Sequence, residues 1–174
     1  VTEGAGGKVE ITEGEYTSEG FETDGLNPYK RYSAGIACYY TGPRPAYHEW
    51  PNFYFSGSYV QPTYGDATNF DDPYNLRVNS NPVVNNTAGS IVGYKYFNFD
   101  PDKDAELLLS LKPLGVEGTI DVMVGSPWTS RGGVKVGTLR LSKDAPQQIA
   151  EMRISVSKAK EFKGKQALFF VFSS

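Results

Sequence analysis

Cysteine and histidine are almost missing from this chain, which has one of each, Cys38 and His48, in 174 residues. A single cysteine excludes an internal disulfide and any multi-cysteine zinc site, and a lone histidine leaves little with which to bind a transition metal. Long apolar runs are missing too. Hydrophobic residues make up 39% of the chain, but no run of them nears the roughly 18 residues a membrane-spanning helix needs, so no membrane span is expected. Positive charge is not in surplus: 17 Lys+Arg stand against 20 Asp+Glu, a formal charge of −3. A dedicated nucleic-acid binder needs a net basic surface to neutralise phosphates, so no nucleic-acid partner is expected. There is no Gly-rich phosphate loop, no GxSxG elbow and no HExxH, the patterns that would announce nucleotide, esterase or zinc-protease chemistry. His48 beside Glu49 reads as structural in the absence of triad partners. A carboxylate pair of the glycosidase kind is defined by spacing in the fold and stays open as an alternative.

What the chain does have is aromatic rings and turns. Aromatics reach 14%, with 12 Tyr and 10 Phe, and 19 Gly and 11 Pro are spread along the length. Tyrosine-rich, turn-rich composition with little methionine points to an all-β fold. The second half carries the pattern most clearly. Glu106–Leu111, Gly118–Val124 and Gln148–Val156 alternate apolar and polar side chains, each a strand with one wet face. Ile91–Phe99 and Gln166–Phe172 are apolar on both faces, as strands inside a sheet with neighbours on both sides would be. Gly7–Thr12 and Ala34–Tyr40 are further strand candidates. With turn clusters between them, these segments predict an antiparallel two-sheet β-sandwich whose core includes Ile120, Val122, Ile154, Val156, Phe97 and Leu109.

The two halves differ in charge and aromatic content. Residues 1–94 hold 5 basic and 11 acidic side chains, whereas residues 95–174 hold 12 basic and 9 acidic. Thirteen aromatics lie between Tyr29 and Tyr74. The first half therefore reads as display surface and the second as scaffold. Trp50–Leu76 mixes rings with Gly, Pro, Asn and Asp and has no period, and a long loop in a compact domain is usually functional. Asp71–Asp72 before Pro73 reads as a turn, or at most a weak calcium contact. Sugar rings stack their apolar faces on Trp and Tyr while Asn and hydroxyl groups take the ring hydroxyls. On that chemistry the candidate carbohydrate-binding residues are Tyr47, Trp50, Asn52, Tyr54 and Trp128, the two tryptophans standing out because each sits beside proline in turn-like sequence. No Lys or Arg lies between Arg44 and Arg77, so a ligand of the Tyr47–Tyr74 loop is expected to be a neutral or mildly polar glycan.

Four segments together, Gly89–Phe99 (GSIVGYKYFNF), Gly118–Val124 (GTIDVMV), Gly132–Leu139 (GGVKVGTL) and Gly164–Phe172 (GKQALFFVF), resemble the family 6 carbohydrate-binding module. More closely, they resemble the variant fused behind family 43 glycoside hydrolase domains of gut Bacteroidetes. Val9–Thr12 (VEIT) and Ile36–Tyr40 (IACYY) resemble the joint between hydrolase and module. The resemblance implies a galactose-binding-like jelly roll without catalysis of its own, spanning residues 1–174 as one domain with an insertion loop at 50–76. It also implies a polysaccharide or oligosaccharide ligand, a hydrolase domain in the same polypeptide, and a secreted, periplasmic or cell-surface location. A start at Val1 rather than Met fits excision from a longer hydrolase. The chain departs from the family in three places: Gln147 and Gln148 occupy the position of the usual site tryptophan, the usual site asparagine belongs to a last strand after FVF where this sequence stops at Ser174, and the Glu-rich start that carries the family's structural calcium has no clear counterpart. No other cofactor is expected. Two functions follow, a sugar-binding accessory module or a domain that braces a hydrolase without binding sugar itself.

Overall fold

The computed structural model describes residues 2–3, 9–10, 24–43, 57–60, 82–103 and 106–174. Within them the chain is β structure broken by short 3-10 turns at Ala34–Ile36, Thr129–Arg131 and Ser157–Glu161. The central sheet has five antiparallel strands, β3 (Tyr39–Thr41), β6 (Ile91–Phe99), β11 (Gly164–Ser173), β8 (Gly118–Val124) and β9 (Val134–Leu141), in that spatial order. Facing it is the antiparallel pair β7 (Glu106–Leu111) and β10 (Ala150–Ser155). Two small ladders complete the described set, β1 (Thr2–Glu3) with β2 (Val9–Glu10) and β4 (Tyr59–Val60) with β5 (Val83–Val84). The fold is the antiparallel two-sheet sandwich that the alternation predicts.

The core follows from period-2 geometry. In β8, Ile120, Val122 and Val124 are 3%, 1% and 0% exposed and point at the facing pair, while Asp121 between them turns outward. They pack with Val92, Val136, Ile154, Val156 and Phe170 into one cluster, onto which Leu107, Leu109 and Leu111 of β7 close. Each such side chain contributes about 1.5–3 kcal/mol on burial. Of the six expected core residues, Leu109 is only half-buried, at the cluster's margin, and the other five are buried. As expected from its apolar pattern, β11 lies inside the sheet, between β6 and β8.

Ala34–Tyr40 does not form one strand. Ser33 caps a 3-10 turn, its Oγ accepting from the Gly35 N–H at 3.2 Å, and β3 begins only at Tyr39. A serine that bonds its own neighbouring backbone competes with ladder formation. Ahead of this turn the described stretch begins at residue 24. There Leu26 continues the sheet as a parallel bridge to Phe97, its N–H donating to the Tyr96 carbonyl at 2.7 Å and its own carbonyl accepting from Asn98 N–H at 2.8 Å. Within the expected insertion at 50–76, residues 57–60 are described, and β4 forms there.

Candidate functional site

The outer face of the five-stranded sheet is also apolar. Alternation that sends Leu168, Phe170 and Phe172 inward sends Ala167, Phe169 and Val171 outward, and these join Ile91 and Met123 in a second cluster separate from the core. One transverse row crosses all five strands here: Tyr39 pairs with Gly93, Gly93 with Phe169, Phe169 with Met123, and Met123 with Lys135. Gly93 is what lets the row close up. A Cβ there would fall 2.7 Å from both Cδ1 and Cε1 of Phe169, so the ring lies where any side chain would be. Phe169 then meets Tyr39 edge-on, with centroids 6.5 Å apart and planes at 79°.

Trp128 stands over this row. It is 44% exposed, a large fraction for an indole in a sheet-facing turn. The turn that carries it is closed by its own backbone: the Trp128 carbonyl accepts from the N–H groups of Arg131 and Gly133, each at 3.0 Å, and Gly132 N–H donates to Thr129 at 3.1 Å. Ser126 Oγ accepts from Trp128 N–H at 3.2 Å. Gly132 has φ +82°, the left-handed conformation that favours glycine, and a Cβ on Gly133 would lie 2.1 Å from the Ser126 carbonyl oxygen. Gly125 N–H ties the start of the turn to the Ala167 carbonyl of β11 at 2.9 Å. The indole is thus presented on a frame with few ways to move.

Two open depressions flank the ring. One, of about 360 Å³, is lined by Cys38, Tyr39, Lys95, Pro127, Trp128 and Phe169. The other, of about 270 Å³, is walled by Asp121, Trp128, Thr129, Ser130 and Lys135 and floored by Met123 and Val171. Their charges differ. Asp121 is paired, with Lys135 Nζ 2.6 Å from Oδ2 and Thr138 Oγ1 donating to Oδ1 at 2.6 Å, so the charges of the second depression are balanced. The first has Lys95 and no carboxylate in its lining. Arg131 holds its guanidinium 5.2 Å from the indole centroid, a cation–π contact of about 0.5–1 kcal/mol at an exposed site. Among the described residues no three His, Cys, Asp or Glu side chains gather as a metal site would require.

Of the expected site residues, Trp128 is exposed as expected, while Tyr47, Trp50, Asn52 and Tyr54 lie outside the described residues, as do His48 and Asp71–Asp72. Sequence reasoning did not find Tyr39, Lys95, Phe169 or Lys135. The signal available was the double-sided apolar pattern of β6 and β11, which implies that the outward face also meets something. Beyond the site, burial first and then the nearby Cys38 thiol push the Tyr94 phenol up to about 12; its hydroxyl donates to the Ala34 carbonyl at 3.0 Å.

An antiparallel β-sandwich with an exposed indole over an aromatic row is the class that fold and surface define. No family model matches the chain, and no curated protein matches it in sequence. Among solved structures it is similar to a glycoside hydrolase family 43 arabinoxylan arabinofuranohydrolase from Bacillus subtilis, crystallised in complex with cellotetraose, with a TM-score of 0.63 and 20% identity. The match covers 99% of this chain and 29% of that one, and at this identity the likeness is one of fold.

Proposed function

We propose that this chain is a non-catalytic carbohydrate-binding or accessory module of a polysaccharide-degrading glycoside hydrolase that is secreted, periplasmic or at the cell surface. It acts as one domain of a longer polypeptide whose catalytic part lies elsewhere. The observation that carries this reading is Trp128, a rigidly mounted, exposed indole between two sugar-sized depressions. A pyranose stacked on it contributes about 1–2 kcal/mol, and hydroxyls of Thr129 and Ser130 with the Asp121–Lys135 pair supply hydrogen-bonding groups beside the ring. A site of this size gives a Kd of roughly 10 μM to 1 mM. The fold neighbour is a carbohydrate-active enzyme solved with an oligosaccharide, and this chain corresponds to less than a third of it, which supports an accessory role. The resemblance to family 6 modules supports the same reading, with Tyr47, Trp50, Asn52 and Tyr54 as a second set of contacts.

The test is affinity electrophoresis of the chain through gels containing xylan, arabinoxylan or soluble cellulose derivatives, repeated with Trp128→Ala and Trp50→Ala. Retardation lost in Trp128→Ala with an unchanged thermal midpoint supports the reading. Retardation lost only in Trp50→Ala moves the site to the aromatic loop. A wild type that no polysaccharide retards leaves the bracing function. That second reading draws on Leu114, Val116 and Ile149, which are 65%, 51% and 75% exposed. They sit on loops brought together where the Gln147 side chain meets Gly115, and exposed apolar groups of this kind mark protein contacts.

A further inference from the structure

We infer that the larger depression beside Trp128 takes a sugar bearing a carboxylate, with Lys95 as the group that recognises it. The inference rests on the proposed glycan-binding role and names the ligand class of that site. Its basis is the unequal charge on the two sides of one ring. On the β8–β9 side every charge is answered, because the two Asp121 oxygens are taken by Lys135 and Thr138. On the β3–β6 side the walls are the rings of Tyr39, Phe169 and Trp128, and the one ionised group among the lining residues is the Lys95 ammonium. Among the described residues no carboxylate pairs with Lys95, whose ammonium lies 5.8 Å from the centroid of the Tyr96 ring. Arg131, also without a carboxylate among the described residues, adds a second positive charge at the indole itself.

An ammonium at the rim of an aromatic-walled depression fits a ligand with an apolar ring face and an anionic edge, which describes a uronic acid. A neutral sugar would stack there and leave the ammonium to water, whereas a carboxylate converts it into a charge-assisted hydrogen bond. The balanced depression on the other side of the indole, with Thr129 and Ser130, suits an uncharged neighbour. The matching ligand is therefore a glycan that carries acidic residues next to neutral ones.

The experiment compares each acidic glycan with its own neutral form. Glucuronoxylan and its carboxyl-reduced derivative, and polygalacturonate and its methyl ester, are titrated into the chain by calorimetry at low salt. We expect at least one acidic form to bind about tenfold more tightly than its neutral partner. Raising the ionic strength towards about 0.5 M should erase most of that preference, since the screening length then falls below about 5 Å. Lys95→Met should abolish the preference, Lys95→Arg should retain it, and Arg131→Gln should reduce it only about two- to threefold. Equal binding of acidic and neutral forms overturns the acidic-sugar assignment and leaves glycan binding standing. A preference that survives Lys95→Met overturns the role of Lys95. Absence of binding to all four glycans, and to the neutral polysaccharides above, takes down the underlying reading as well.

Discussion

Phe169 and Phe170 are consecutive, equally buried at 8% and 7%, and each is met edge-on by a tyrosine, yet they belong to different surfaces of the same sheet. Phe170 faces inward, with Tyr94 at 5.8 Å and 84°, in a cluster closed from the other side by β7 and β10. Phe169 faces outward, with Tyr39 at 6.5 Å and 79°, beneath an indole that is itself exposed. The tyrosine partners show the difference. Tyr94 is desolvated enough for its phenol to rise to about 12, while Tyr39 stands 39% exposed. Identical side chains one residue apart thus fill the core on one face and line a surface depression on the other. What separates them is whether the opposing layer is a second sheet or a single turn.

The largest effect expected from breaking this comparison is Phe170→Ala. It opens an enclosed cavity between the two layers and should cost about 3–5 kcal/mol in urea unfolding. Phe169→Ala should cost about 1–2 kcal/mol less, because its void opens onto the surface and can fill with water, but it should weaken glycan binding where a partly destabilised Phe170→Ala protein, assayed below its midpoint, does not. Equal stability losses would mean that the outer face is as enclosed as the inner one. Gly93→Ala comes next. A methyl group 2.7 Å from the Phe169 ring must push it aside, costing about 1–3 kcal/mol and disturbing Tyr39 and the Lys95 depression together.

Trp128→Ala should change stability by less than about 1 kcal/mol, since the indole is exposed and the turn is held by backbone bonds, while lowering glycan affinity about tenfold or more. A large drop in thermal midpoint would identify Trp128 as core. A further expected effect is alkaline. The folded state keeps the Tyr94 proton to about 12, whereas the unfolded phenol releases it at 10.0. Between those values the folded state binds more protons, so the stabilisation is complete below pH 10 and is lost as pH rises through about 12. Tyr94→Phe should flatten that part of the stability–pH curve, at a constant cost of about 0.5–1.5 kcal/mol for the lost bond to Ala34.

The legibility of the sequence divides along the same line. β7, β8 and β10 were readable because one face is wet, and alternation then reports the buried side directly, as Ile120, Val122 and Val124 do around Asp121. The central position of β11 was readable from its two apolar faces. The start of β3 was not, because the Ser33 hydroxyl bond is a local competitor that a count of apolar residues does not register. At the site, Trp128 was legible as a ring beside proline. Its neighbours were not, since residues 39, 93, 123, 135 and 169 form one row only through the register of five strands from distant parts of the chain. The two depressions beside Trp128 are lined mostly by residues of the second half, where the basic side chains are concentrated.

The turn from Gly125 to Gly133 has one more consequence. Its shape is fixed by glycines and main-chain bonds, and the bond from Gly125 N–H to the Ala167 carbonyl ties it to the sheet. The side chains at 128 to 131 are therefore cargo on a chassis that does not depend on them. Lineages that keep the glycines can exchange the cargo without repacking the sandwich, so the chemistry of this surface can drift faster than the fold, and for an engineer the same four positions form a compact library.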